Sequence, residues 1–306
     1  MRDFRFGCNV FAVRSRSSFV SYCQTAERSG YDVVFTVDHL DAPSPFPPLV
    51  AAADATERLR VGTLVLNAGL WNPHLLAREV ATVDVLTDGR LEVGLGAGYV
   101  KWEFEAAGIP WRPHAERADQ VETALDELTQ LFASDGYPEG KAVRDAFGLP
   151  ALLPVQRQGF DGTGPPLIIG GTGDRMLTLA AKRADIVGVA GGFQLAGKPP
   201  GTLRIGTAEQ AAERARFIRE QAGDRDPELN VLVQAVVITE DRRGTAAKLA
   251  AERFSYFTTE QVLETPFLLI GTVAEIADQL ASRREKFGFS FITVHEPYLE
   301  TLAPVI

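Results

Sequence analysis

Cysteine is nearly absent: Cys8 and Cys23 are the only two in 306 residues, and each sits inside an apolar segment. A disulfide framework or cysteine-rich metal site is therefore not expected, and both residues read as core fillers in a reducing compartment. Long apolar runs are missing too. No segment reaches the ~20 residues of a membrane span. Arginines interrupt the opening stretch "MRDFRFGCNVFAVRSRSS", which predicts no targeting peptide and a cytoplasmic location. Basic residues are in deficit, 31 Lys and Arg against 40 Asp and Glu, for a net charge of −9. Phosphate neutralisation needs a basic face, so broad nucleic-acid binding is excluded and any anionic ligand must be met by local groups. Several motifs are lacking as well. There is no P-loop lysine, no G-x-S-x-G elbow and no H-x-H or H-E-x-x-H spacing, and neither "GLGAGY" nor "GGTGDR" completes a dinucleotide fingerprint.

What is present is a regular beat. "FRFGCNV", "YDVVFTV", "RLRVGTLVL", "RLEVGLGAG", "PLIIGG", "DIVGVAGG", "ELNVLVQAVVIT" and "FSFITVHEP" read as strands, with amphipathic helices between them. Strands apolar at nearly every position, alternating with helices, indicate a covered parallel sheet, open or closed. Eight such beats in 306 residues favour an α/β (β/α)₈ TIM barrel, one domain over residues 1–306. Periodicity fails twice, at 134–165 and at the Gly/Pro-rich 191–206. These are expected to be loop insertions, and long loops in compact domains are often functional.

In such a barrel the chemistry collects where strands end. Asp38 and His39 follow the second strand, Asn67 the third, the glycines up to Tyr99 the fourth, "GGTGDR" the fifth, and His295 and Glu296 the eighth. The fifth turn runs from a strand straight into a helix, so it reads either as a phosphate cradle of free N–H groups or as a tight turn without a ligand. An imidazole at a pocket mouth can donate to a substrate or relay a proton, which singles out His39 and His295. His74 and His114, at helix starts, are expected to be structural or surface groups. A metal site from Asp38, His39, His295 and Glu296 lacks the usual ligand spacing and is not expected. Trp71 and Trp102, on loops after the third and fourth strands, are candidates for lining a substrate pocket.

"VGTLVLNAGLWNPHLLAREVATVDVLTDGRLEVGLGAGY" and "PPLIIGGTGDRMLTLAAKRADIVGV" resemble the luciferase-like monooxygenase superfamily of flavin and deazaflavin barrels. The C-terminal "LIGTVAEIADQLASRREKFGFSFITVHEPYLETLAPVI" is similar to the branch that uses coenzyme F420. The resemblance implies a luciferase-like barrel in which Asp38 lies beside the cofactor ring and His39 faces the substrate. It implies that Leu64 and Val65 form a bulge with a cis peptide backing the ring, with Asn67 and Gly98 nearby, and that Gly170, Gly171, Thr172 and Gly173 hold the phosphate. The F420-dependent dehydrogenases place a glutamate after the fourth-strand glycines, where this sequence has Tyr99. His39 and Tyr99 are therefore the expected catalytic pair.

The activity so implied is F420-dependent hydride transfer, in the direction of reducing a C=C, C=N or C=O group. The alternatives are an FMN-dependent monooxygenase and, from another class, a barrel surviving as a non-catalytic subunit. A small-molecule or peptide-borne substrate and a homodimer are the expected partners, with no nucleic acid and no membrane.

Overall fold

Eight apolar runs become eight parallel strands, and glycines set what the space between them can hold. The structure is a computed structural model and describes residues 2–195, 197–198 and 202–306. The strands are β1 (Arg5–Val10), β2 (Val33–Thr36), β3 (Arg60–Thr63), β4 (Leu91–Gly96), β5 (Leu167–Gly171), β6 (Ile186–Val189), β7 (Glu228–Val233) and β8 (Phe289–His295). Each pairs in parallel with its neighbour in sequence. β8 closes on β1, with Asn9 opposite His295, and β4 meets β3, with Val61 opposite Leu91. The result is the closed (β/α)₈ barrel expected from the sequence.

Two cores form. The larger lies between strands and helices and includes Cys8 and Cys23, both fully buried. The smaller fills the barrel: Phe35 and Phe291, ring centroids 5.9 Å apart, with Val33, Ile168 and Ile186. Glycine admits the two rings, since a Cβ would lie 3.0 Å from Phe35 at Gly7 and 2.9 Å from it at Gly62. Towards the strand N-termini, Arg5 stacks 4.2 Å over Phe291 and donates to Glu228 (2.8 Å) and Glu92 (2.5 Å). Glu92 also accepts from Arg60 at 2.6 Å. These paired charges close the barrel interior at one end.

Helix ends follow local chemistry. Thr207 with Gln210, Thr258 with Gln261 and Thr272 with Glu275 form capping boxes. Asn72 caps the helix Pro73–Leu86 by accepting from His74 and Leu75. No helix among the described residues is long and apolar enough to cross a membrane.

The sequence reading needs four corrections. The run "ELNVLVQAVVIT" is two strands: after β7 the chain leaves the barrel at Gln234, and Ala235–Ile238 pairs in parallel with Leu268–Gly271 outside it. Segment 134–165 contains the helix Lys141–Phe147, ended by Gly148 at φ 62°. Its Val143 and Phe147 are exposed, so no buried face betrayed it. Segment 191–206 contains an antiparallel pair, Gly192–Gln194 with Leu203–Ile205; residues 196 and 199–201 of that segment lie outside the described residues. The run "RRGTAAKLAAERFSYF", which reads as one helix to Phe257, is helical only over Arg242–Glu252.

Candidate active site

At the open end of the barrel lies a cavity of about 1170 Å³. Its floor is Val65, which follows Leu64 through a cis peptide bond. A Cβ at Gly94 would lie 2.9 Å from the Val65 side chain, at Gly96 2.6 Å and at Gly170 3.2 Å. These glycines make room for Val65 across the barrel mouth. Part of the glycine series in "GLGAG" is thus a packing requirement.

Asp38 ends the second beat with one carboxylate oxygen accepting from Asn67 N–H and Trp71 Nε1–H, both at 2.9 Å. Burial holds its carboxyl above the ordinary range, against the pull of the Trp71 and Asn67 donors. Asn67 is itself fixed, because its Oδ1 accepts from Gly69 N–H. That orientation leaves the Asn67 Nδ2 donor without an acceptor among the described residues. Gly98, at φ 66°, permits this packing: a Cβ there would lie 2.5 Å from the Asn67 amide.

His39 has a partner that the sequence reading missed. Its Nδ1 lies 2.8 Å from Glu103 Oε1, and the same oxygen accepts from Leu40 N–H at 3.3 Å. Glu103 is only 2% exposed. A carboxylate can only accept, so this contact places a proton on His39 Nδ1 and fixes the ring's orientation. The position after the fourth-strand glycines, where the resemblance placed an acid, does hold Tyr99. The acid itself comes four residues later. Tyr99 packs edge-on against His39, ring centroids 5.8 Å apart, and burial followed by the nearby Glu103 charge keeps its phenol protonated by raising its pKa.

The turn after β5 leads into the helix Asp174–Arg183, whose first N–H groups have no side-chain cap. A Cβ at Gly171 would strike Met176 at 2.6 Å, but at Gly173 the nearest atom would be His114 Cε1 at 3.8 Å. Gly173 also has ordinary extended angles, φ −79° and ψ 153°. Neither backbone strain nor protein packing demands glycine there, and the space it leaves faces the cavity. His114 and Arg117 line that side, and His114 is exposed at the start of its helix. Burial and then the Arg117 charge hold the His114 imidazole below its ordinary pKa. Arg117 stacks 3.7 Å over Trp111 and donates to the Ala97 carbonyl. Arg175, which follows the glycine turn directly in sequence, pairs with Asp119 and Glu122 at the surface. Arg214 takes the inner position, pairing with Asp174 and Glu213.

The opposite wall carries His295. The Gln234 amide donates to the Leu232 carbonyl, so its oxygen faces His295 Nε2 at 3.3 Å and places the proton there. Burial, followed by Arg253, lowers the His295 pKa and favours the neutral ring. Three expected pocket residues do not line the cavity. Trp71 spends its N–H on Asp38 and packs edge-on against Phe46. Trp102 is 49% exposed on the helix Lys101–Ala106, and Glu296 accepts from Phe11 N–H in the turn after β8. Sequence position put these residues near strand ends, but side-chain direction took them elsewhere.

The pattern of the family described as "Luciferase-like monooxygenase" matches residues 9–265. The chain is 25% identical over 303 residues to an F420-dependent glucose-6-phosphate dehydrogenase of Intrasporangium calvum, covering 91% of this chain and 88% of that protein. It is 34% identical over 144 residues to an FMNH2-dependent dimethylsulfone monooxygenase of Pseudomonas putida, covering 43% of this chain and 39% of the relative. Matches at 31% to 35% identity span only 37% to 46% of their curated relatives' length. Among solved structures, the coenzyme F420 dependent tetrahydromethanopterin reductase of Methanopyrus kandleri aligns with a TM-score of 0.69 at 19% identity, over 99% of this chain and 97% of that one. That likeness concerns the fold.

Proposed function

The chain belongs to the luciferase-like monooxygenase family, and from that premise we propose that it is an F420-dependent oxidoreductase reducing a C=C, C=N or C=O group. The observation that carries the proposal is the His39–Glu103 pair, 2.8 Å apart, on the wall of a cavity floored by Val65. The residues present fit a flavin-like group. Gly173 leaves an open cradle beside uncapped N–H groups, which suits a phosphate, and Asn67 Nδ2 is a fixed donor lacking an acceptor among the described residues, which suits a ring carbonyl. When bound, a deazaflavin supplies a two-electron hydride carrier that reacts poorly with oxygen.

The protein's own part is placement and charge. Gly170, Gly171, Thr172 and Gly173 would hold the cofactor's phosphate, and Val65 on the cavity floor would support its ring. Asp38, fixed by the Asn67 and Trp71 N–H groups, would help to hold the ring. His39 donates to the substrate atom where negative charge develops, and Glu103 supports the imidazole as it does so. Tyr99, with its phenol kept protonated, is a second donor on the same wall. The near-full-length similarity to an F420-dependent dehydrogenase supports the deazaflavin. The partial similarity to an FMNH2-dependent monooxygenase sustains FMN as the second reading.

Titrating the purified protein with reduced F420 and, separately, reduced FMN, followed by fluorescence or absorbance, tests the proposal. Saturable binding of F420 is expected. Tight binding of FMN alone would transfer the site to the monooxygenase reading, and binding of neither would favour a non-catalytic barrel.

A further inference from the structure

Among the described residues, four Lys and Arg side chains line the cavity: Arg117, Lys198, Arg204 and Arg214. Two are accounted for. Arg214 is neutralised by Asp174 and Glu213, and Arg117 stacks on Trp111 beside the glycine turn, donating to the Ala97 carbonyl. Lys198 and Arg204 form no ion pair among the described residues, in a chain with nine more acids than bases (40 − 31). The acids lining the cavity are already engaged: Asp38 by Asn67 and Trp71, Glu103 by His39, and Glu213 by Arg214. Two uncompensated cations lining one concave cavity raise the local concentration of anions.

Their support is built into the fold. Arg204 lies on the strand Leu203–Ile205, opposite Phe193 of the antiparallel partner strand. Ile205 N–H donates to Tyr256 Oη at 3.2 Å, and Gly206 N–H donates to the Gly191 carbonyl at 3.0 Å. Thr265 Oγ1 donates to the Gly206 carbonyl at 2.7 Å. The strand bearing Arg204 is therefore tied to the barrel rim at three points. It follows β6, the neighbour of the strand that ends in the glycine turn, so the two cations stand one beat beyond the phosphate cradle.

We propose that Lys198 and Arg204 form a second anion subsite, distinct from the glycine turn, which takes a carboxylate or phosphate oxyanion carried either on the cofactor beyond its phosphate or on the substrate. A guanidinium fork and a flexible ammonium together match such a group. The subsite deepens the reading of the same cavity, and the cofactor-borne source rests on the deazaflavin proposal.

The test compares wild type with the double variant Lys198→Gln, Arg204→Gln; Lys198→Gln alone, changing an exposed side chain, serves should the double variant be unstable. In one arm, fluorescence titration measures F420 with its oligoglutamate tail against the same compound with the tail removed. If the cofactor supplies the anion, wild type prefers the tailed form by about tenfold or more, the size of a charge-assisted hydrogen bond, and the variant loses that preference. In the other arm, the cofactor-loaded protein is titrated with benzoate and with neutral benzamide. If the substrate supplies the anion, wild type binds benzoate about tenfold more tightly than the variant does, and benzamide does not distinguish them. Equal ratios for wild type and variant in both arms overturn the subsite. Should neither F420 nor FMN bind, the function fails separately, and the subsite is decided on the free protein by citrate at constant ionic strength. A larger melting-temperature rise in wild type than in the variant supports it; equal rises overturn it.

Discussion

Glu103→Gln separates charge from geometry at the His39 pair. The amide oxygen can still accept from His39 Nδ1–H and Leu40 N–H, now at 2.8 and 3.3 Å, so the ring stays in place while the negative charge goes. A hydrogen bond to a charged group contributes about 1.5–3 kcal/mol and a neutral one about 0.5–1.5 kcal/mol. The difference sets a lower bound of about tenfold in rate. A full charge pair at ~4 Å with an effective dielectric of ~20 is worth ~4 kcal/mol, which sets a ceiling of about 10³-fold. Turnover in the variant should therefore fall by between about 10- and 10³-fold, while the cofactor dissociation constant changes by less than about twofold because Glu103 touches the imidazole and not the cradle. Single-turnover stopped flow against a panel of enones, imines and ketones measures the first quantity, and fluorescence titration the second. Imidazole ¹⁵N NMR adds a check independent of substrate: wild-type His39 should carry its proton on Nδ1. Wild-type turnover in Glu103→Gln, with His39→Ala inactive, would refute the supporting role of the carboxylate. A His39 ring protonated only on Nε2 would remove its geometric basis.

The remaining predictions concern the cradle, the cofactor-side acid and the closed end of the barrel. Gly173→Ala adds a methyl whose nearest protein atom is 3.8 Å away, at ordinary backbone angles, so thermal stability should hold within about 0.5 kcal/mol while cofactor affinity falls about tenfold or more by intrusion on the phosphate. An unchanged dissociation constant would reduce the turn to ordinary packing. Asp38 has a raised pKa, so its stabilising share is complete below the ordinary carboxyl value of ~3.9 and lost as pH rises through the raised value. Asp38→Asn, whose oxygen can accept the same two N–H groups, should raise the melting temperature of the free protein at pH 7 and flatten its dependence above pH ~4. A lower melting temperature at pH 7 would contradict that sign. Glu92→Gln leaves Arg5 and Arg60 without their shared carboxylate, and urea unfolding should register a loss of about 3 kcal/mol; a change below about 0.5 kcal/mol would mean that these charges are already neutralised by solvent.

How much of this could be read beforehand depends on whether the cause was local. The barrel was legible because strands buried on both faces must be apolar at every position, and the strand-end rule then brought Asp38, His39, Tyr99, the glycine turn and His295 to one cavity. The rule speaks of chain position, not side-chain direction, so it also nominated Trp71, Trp102 and Glu296. Glu103 lies beyond the strand in a six-residue helix, yet it left a trace. On that helix Glu105 has Lys101 four residues back, and the two pair at 3.1 Å. The positions three and four residues from Glu103 are Tyr99, Val100, Ala106 and Ala107, none of which can neutralise it. A buried acid with no helical partner must find a donor in the tertiary structure, and His39, at the end of the second strand, is that donor. The inner position of Arg214 left no such trace. Arg175 follows the glycine turn directly, but the helix on which it sits turns it out to Asp119 and Glu122, while Arg214 reaches the turn from the next helix. Residues that act within one beat can be read from the beat, whereas those that reach a site across two helices need the packing first.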